Sequence, residues 1–332
     1  MLLKWSHRMS PAAKFAAMVL ATGLSAPGDA KAQSYPSRPI TLVVPYPAGG
    51  GVDAMARMVG QKLAIALKQQ VVVENRGGGN GNVGTRTVAK AKPDGYTLLL
   101  GYTGTLAVNP SLTKNAGYDP ATDFVPIGMI ASMPVALIAH PTFPGRTVAD
   151  VIALAKKEPG KMNIATGAVG TVSHLCAELF KSATGIDVAI VPYRGTAPLV
   201  TDLIAGHVQV GFSPVGSAMG NIQGGTLRAL AVTTTARSSM LPDVPTVSEA
   251  GLANFDASLR YGLVAPAGTP RPVIDQLNKE LRELLQDQEI MRRVVAEGGD
   301  VTSSSSEEYG AVIAREIAIW SALVKKLDLK VD

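Results

Sequence analysis

The sequence predicts an α/β protein of two lobes, each built on a largely parallel sheet, and three observations carry that expectation. From Ile40 onward, short apolar β-branched runs alternate with glycine-bearing turns and helical stretches, the pattern of a parallel sheet covered by helices on both faces. The chain has 332 residues, enough at ~150 residues per domain for two lobes that each bury a core. No low-complexity linker or fixed-period repeat separates the halves, so the chain is expected to cross between them twice, near Ser132-Met133 and Ser258-Leu259, rather than through one tether. The expected division is residues 33–133 with 258–332 in lobe I and 134–257 in lobe II.

Ile40 to Val44 reads as the first strand, and Val52 to Leu67 as a helix with Met55, Val59, Leu63 and Leu67 on one face. Val71 to Glu74, Tyr96 to Leu100, Val135 to Ala139 and Val188 to Val191 read as further strands. Capping boxes at Thr147 to Asp150, Thr246 to Glu249 and Ser304 to Glu307 mark helix starts, since a hydroxyl and an acid three residues later satisfy free amides. The last helix places Tyr309, Val312, Ile313, Ile317, Trp320 and Val324 at helical spacing and ends on Lys325 and Lys326, where cations suit the dipole; it is expected to pack on its own lobe.

Residues 1–32 have the order of an export signal: Lys4, Arg8 and Lys14, an apolar run from Phe15 to Ala26, then Ala30-Lys31-Ala32 before the expected cut. The run is shorter than the ~20 residues of a spanning helix, so a periplasmic protein starting at Gln33 is expected. Removing that segment leaves 27 basic and 25 acidic residues, so the net charge falls from +5 to +2. With no basic run carrying interleaved aromatics, nucleic acid is not an expected partner. The single cysteine, Cys176, excludes an intrachain disulfide and reads as a small core residue on a helix.

Pro45-Tyr46-Pro47-Ala48-Gly49-Gly50-Gly51-Val52-Asp53 joins a strand to a helix. Its glycines either leave amides open for a carboxylate at a positive helix end, or supply the dihedrals of a tight turn; composition alone weighs both evenly. Gly79-x-Gly81-x-x-Gly84 superficially matches a dinucleotide fingerprint, but no acidic residue follows at the end of the next strand, so a surface turn or cleft loop is expected and no cofactor. Thr166 to His174 again joins a strand to a helix, a second anion cradle, with Ser173 and His174 read first as a cap and a satisfied histidine. His140, His174 and His207 give no zinc spacing, and no Gly-x-Ser-x-Gly elbow is present, so neither a metal nor a hydrolase site is expected.

Taken in order, Tyr35-Pro36-x-Arg38-Pro39-Ile40, the Pro45 to Asp53 turn, Val72-Val73-Glu74-Asn75-Arg76, Lys92 to Leu98, Ser173-His174, Val191-Pro192-Tyr193-Arg194-Gly195 and Leu241 to Thr246 resemble the Bug-type substrate-binding receptors of tripartite tricarboxylate transporters. The likeness runs from about Tyr35 to the C-terminus. It implies a two-lobe periplasmic-binding-protein (Venus flytrap) fold with a hinge crossed twice, and a monomer without cofactor or catalytic residues. It also implies that a small organic carboxylate is held between the lobes and passed to membrane transporter subunits.

By that resemblance Ala48, Gly49 and Gly50 give amides to one carboxylate, and Tyr46 and Tyr193 shape the walls. Thr103 and Thr105 face the cleft from lobe I; Thr166, Gly170, Thr171, Ser173 and His174, with Arg194 and Gly195, face it from lobe II. Arg194 stands open between ligand contact and structure, and Asp53 between capping its helix and orienting water. Many relatives carry an acid where this chain has Ser213, which cannot neutralise an ammonium, so a mono- or dicarboxylate without an amine is expected. Two other readings stand beside the receptor: an exported carboxylic-ester hydrolase using Ser173 and His174, and a ligand sensor feeding a two-component kinase.

Overall fold

In the computed structural model, which describes residues 35–49, 51–113 and 115–329, the chain from Arg38 onward forms one compact unit carrying two sheets. The expected signal segment, residues 1–32, lies outside the described residues. The first sheet contains β1 (Ile40–Val44), β2 (Val71–Asn75), β3 (Thr97–Tyr102), β4 (Phe124–Met133), β10 (Leu259–Pro266) and β11 (Asp300–Val301), in the order β11-β4-β10-β3-β1-β2. β1 runs parallel to both β2 and β3, so its side chains are covered on both faces and nearly all are buried. α1 (Gly51–Ala66) makes the crossover to β2 and buries Met55, Val59 and Leu63, the stripe its sequence shows. α2 (Asn82–Ala89) makes the next crossover, and α3 (Asn109–Leu112) follows β3.

The second sheet contains β5 (Val135–Ala139), β6 (Asn163–Thr166), β7 (Ala189–Pro192), β8 (Val210–Pro214) and β9 (Arg228–Val232), in the order β7-β6-β8-β5-β9. β6 is parallel to β7 and β8. The helices α4 (Val148–Lys157), α5 (Val172–Thr184), α6 (Thr196–Ile204) and α7 (Val215–Gln223) connect these strands. After β10 come α8 (Arg271–Leu284), α9 (Gln288–Ala296) and α10 (Ser306–Lys326). The strands expected over Ile40 to Val44 and Val135 to Ala139 appear with those limits, and the others within two residues.

The chain passes from the first sheet to the second at Pro134, whose carbonyl accepts the Val215 N–H at 3.0 Å, and returns ahead of Leu259. A buried ionic network stands at the return: Arg260 pairs with Asp256 and with Glu316 of α10, and Arg315 reaches Asp256 at 2.7 Å. Burial raises the Glu316 pKa despite the Arg260 guanidinium beside it.

Two expectations about helices need correction. The capping box of α10 is Ser305 with Glu308, one residue later than the Ser304 spacing suggests, because Ser304 is buried and its Oγ accepts the Met129 N–H at 3.0 Å. The Thr246–Glu249 box closes reciprocally, at 2.8 and 2.9 Å, but on a turn rather than a helix. The terminal helix also packs differently. Tyr309 and Ile313 lie in the core of the first sheet with Leu99 and Val264. Trp320, Leu323 and Val324 lie in a core with Leu137, Phe180 and Phe212 of the second. Lys326 Nζ then donates to Ser182 Oγ on α5 at 2.8 Å, so α10 bridges both halves rather than serving one.

Candidate functional site

The parallel strands of the second sheet end together at Thr166, Pro192 and Pro214, and the turns after them enter α5, α6 and α7. Crevices beyond the carboxyl ends of such strands are where α/β sheets hold ligands. Here a cavity of about 450 Å³ opens, lined from the second half by Gly167–Ser173, Arg194–Thr196 and Pro214. The first half supplies Asn80, Tyr102, Gly104, Val108, Asn109 and Leu112, with Leu259 from the return crossing.

The second-half wall is rich in free donors. Gly170, at φ +82, turns the loop before α5 in a conformation that costs glycine least. No described partner takes the N–H of Ala168, Val169 or Gly170, whereas Gly167 N–H goes to Ser173 Oγ at 3.0 Å. Thr171 caps α5, accepting the His174 N–H at 3.4 Å and donating to the Ala168 carbonyl at 2.7 Å. α6 starts without any side-chain cap, so its first amides also stay open near the cavity, whereas the first amide of α7, the Val215 N–H, is taken by the Pro134 carbonyl. Arg194 lines the same wall, is exposed, and has no hydrogen-bond or ion-pair partner among the described residues. Open amides, positive helix ends and one unpaired guanidinium on one wall make a seat for an anion.

The first-half wall is held rather than charged. Tyr102 OH hydrogen-bonds Tyr46 OH, and burial pushes the Tyr102 phenol well above its usual pKa, so it stays a neutral donor. Asn80 Nδ2 donates to Asn109 Oδ1 at 3.2 Å, and Asn109 Nδ2 donates to the Asn80 carbonyl at 2.7 Å. Gly104 and Val108 belong to a π-helical turn, Gly104–Val108, a local irregularity that recurs at binding sites.

Of the residues singled out in the sequence, Gly170, Thr171, Ser173, Arg194 and Gly195 meet in this cavity. The first-lobe turn does not line it. Ala48 and Gly49 are exposed, and the Gly49 N–H donates to Asp53 Oδ2 at 2.9 Å. Asp53 also accepts from Arg57 Nε and Asn75 Nδ2, each at 3.0 Å, and these bonds, led by that from Arg57, hold its pKa low. It therefore braces its own turn and helix. Gly50 lies outside the described residues.

Thr103 is turned into the crossing network: its Oγ1 accepts the Arg260 N–H at 2.9 Å. Thr105 is buried against the Tyr102 backbone, its Oγ1 donating to that carbonyl at 3.2 Å. Thr166 is buried at the end of β6, donating to the Gly167 carbonyl at 2.9 Å. Tyr46 stands behind Tyr102 and Asn80 rather than forming the wall itself. Tyr193 donates to Asp202 Oδ2 at 2.7 Å; burial and that carboxylate push its phenol up to about 12.

His174 is buried beneath the loop, with Nδ1 unpartnered and Nε2 4.0 Å from Glu178, and burial lowers its pKa. Ser213 is fully buried on β8 opposite Ala136, its Oγ donating to the Pro214 carbonyl at 3.2 Å, and it does not line the cavity, although the adjacent Pro214 does. Asn80, Tyr102 and Asn109 were missed because an amide and a phenol carry no charge pattern; Asn80, at φ 54 inside a glycine run, was the available signal.

A family model described as the tripartite tricarboxylate transporter family receptor matches residues 55–329. Protein BugT of Bordetella pertussis is 36% identical over 94% of this chain and 95% of its own length. Among solved structures, a TctC solute binding protein from Polaromonas without ligand superposes with a TM-score of 0.82 at 29% identity, covering 88% of this chain and all of that one. Rhodopseudomonas palustris Rpa4515 with adipate gives 0.68 at 34% identity over 88% and 97% of the two chains. MatC from the same organism with bound malate gives 0.66 at 30% over 87% and 100%.

Proposed function

The chain belongs to the tripartite tricarboxylate transporter family of receptors, and from that premise we propose that it binds a small mono- or dicarboxylate without an amine in the cavity between its sheets and delivers it to a membrane transporter of that type. The observation that carries the reading is the second-half wall, where open amides of the Ala168–Gly170 loop, the starts of α5 and α6 and the unpaired Arg194 converge on one cavity. Among the described residues no carboxylate side chain lines that cavity, so a ligand ammonium finds no anionic partner there. The adipate and malate bound by two structural relatives are dicarboxylates of the size such a cavity accepts.

Export fits the same role, with residues 1–32 removed after Ala32 and the receptor working as a periplasmic monomer whose lobes are residues 33–133 with 258–332, and 134–257. The higher TM-score against the unliganded relative than against the liganded ones supports an open arrangement that closes on its ligand. An esterase reading is not favoured, because Ser173 Oγ is engaged by Gly167 and Thr171 while the His174 ring has no hydrogen bond to it.

A thermal-shift screen of the protein from Gln33 against small mono-, di- and tricarboxylates and their α-amino analogues tests the reading. At about a hundred times its dissociation constant a ligand adds about 2.7 kcal/mol of stability. A carboxylate that stabilises, contracts the protein in small-angle scattering and outbinds its amino analogue at least about tenfold is the expected result. A response to amino acids in preference, or to no carboxylate, overturns it.

A further inference from the structure

The features that seat an anion all stand on one side of the inter-sheet cavity. The open amides of Ala168–Gly170, the starts of α5 and α6, and Arg194 belong to the second half. Among the described residues Arg194 is the one charged side chain in the lining. A ligand carboxylate fixed there leaves the remainder of the molecule to reach toward the first half.

That side suits carbon better than a second charge. Val108 and Leu112 line it, with Leu259 from the return crossing, and Val172 and Pro214 flank the seat. The Tyr102 ring is braced by two others, edge-on to Tyr46 with centroids 5.4 Å apart and stacked with Tyr261 at 6.2 Å. The neutral polar groups of this wall are largely occupied with one another. Asn109 Nδ2 donates to the Asn80 carbonyl at 2.7 Å and to Asn82 Oδ1 at 3.1 Å, and Tyr46 OH donates to the Asn80 carbonyl at 3.0 Å. A carboxylate placed against this wall loses hydration and gains no cation, whereas a hydrocarbon end gains from the same exclusion of water.

Val169 adds an independent observation. Its side chain is 48% exposed on the cradle loop, and of the large apolar side chains exposed among the described residues it alone lines this cavity. Its N–H has no described partner. One residue therefore presents a donor to a carboxylate and a branched hydrocarbon to the carbons next to it. We infer, on the footing of the carboxylate reading proposed for this cavity, that the ligand is a monocarboxylate with a compact apolar body, and that Val169 helps to select it over a dicarboxylate of the same length.

Calorimetric titration of the protein from Gln33 with hexanoate and with adipate tests it, because the two acids share one chain length and differ only in a methyl or a carboxylate at the far end. Benzoate and terephthalate repeat the comparison on a flat ring. The monocarboxylate of at least one pair is expected to bind at least about tenfold more tightly than its dicarboxylate partner. Val169→Ser, at an exposed position where an unchanged melting temperature verifies the fold, is expected to weaken that monocarboxylate about three- to tenfold and to leave its partner's affinity unchanged. Dicarboxylates bound as tightly as their partners, equal effects of Val169→Ser on both, or binding of malate with none of the four overturns the inference and leaves the carboxylate reading standing. Silence toward every carboxylate brings down both.

Discussion

The backbone N–H of Gly49 donates to the carboxylate of Asp53, at 2.9 Å, so an amide expected to hold a ligand already has an anion of the protein's own. Asp53 sits in the first turn of α1, where a carboxylate favours the helix dipole, and it is buried among Gly49, Arg57 and Asn75. Replacing Asp53 with Ala is therefore expected to cost about 1–2 kcal/mol in urea unfolding, the worth of a lost cap. Loss of ligand binding without loss of stability would place Asp53 at the ligand instead.

Arg194 is exposed and unpaired, so its removal touches no bond of the fold. Arg194→Gln is expected to weaken carboxylate affinity by about ten- to a hundredfold, the range of a charge-assisted hydrogen bond, with circular dichroism and melting temperature unchanged. Unaltered affinity in calorimetry would remove Arg194 from the site.

The network at the return crossing behaves in the opposite way. Arg260, Asp256 and Glu316 are each more than nine-tenths buried. Arg260→Met leaves Glu316 buried without its cation, and is expected to destabilise by about 3–5 kcal/mol in denaturant unfolding. A loss below about 1 kcal/mol would mean that water already reaches these carboxylates.

The buried imidazole makes stability depend on pH. Burial holds His174 below its ordinary pKa, so the unfolded chain takes up a proton that the folded one resists. Stability is then full above about pH 6.5 and falls as the pH drops below it. Glu178 works in the other sense: burial raises its pKa, and its contribution is present at low pH and lost as pH rises through the folded value. Urea midpoints between about pH 7.5 and 5.5 should fall in the wild type and fall less in His174→Gln; equal slopes would clear His174 of the effect.

The strands and crossovers were legible because apolar periodicity and strand-to-helix turns report local geometry. The second cradle was legible for the same reason, since Thr171, Ser173 and Arg194 sit at turns whose ends the sequence marks. What was illegible is which polar groups find partners inside the protein. Ser213, at the end of a strand, reads as cleft-facing, yet the pleat turns it inward opposite Ala136. The Gly79-x-Gly81-x-x-Gly84 spacing has a packing cause that no cofactor is needed to explain. A Cβ on Gly84 would lie 2.6 Å from the Arg76 carbonyl and 2.8 Å from Pro45 Cα, so the helix can approach the first turn only with glycine there. The Arg260 network was invisible because Asp256 and Arg260 lie 56 to 59 residues in sequence from their partners Glu316 and Arg315 on α10.

The terminal helix constrains how the molecule can move. Tyr309 is embedded in one core and Trp320 in the other, eleven positions and roughly 16 Å apart along a continuous rod. A wide jaw-like swing about the two strand connections alone would drag one of these aromatic anchors from its socket. If the halves close on a ligand as proposed, the closure that keeps both anchors seated is a roll about a line close to the axis of α10, with Lys326 moving with the half that carries Ser182.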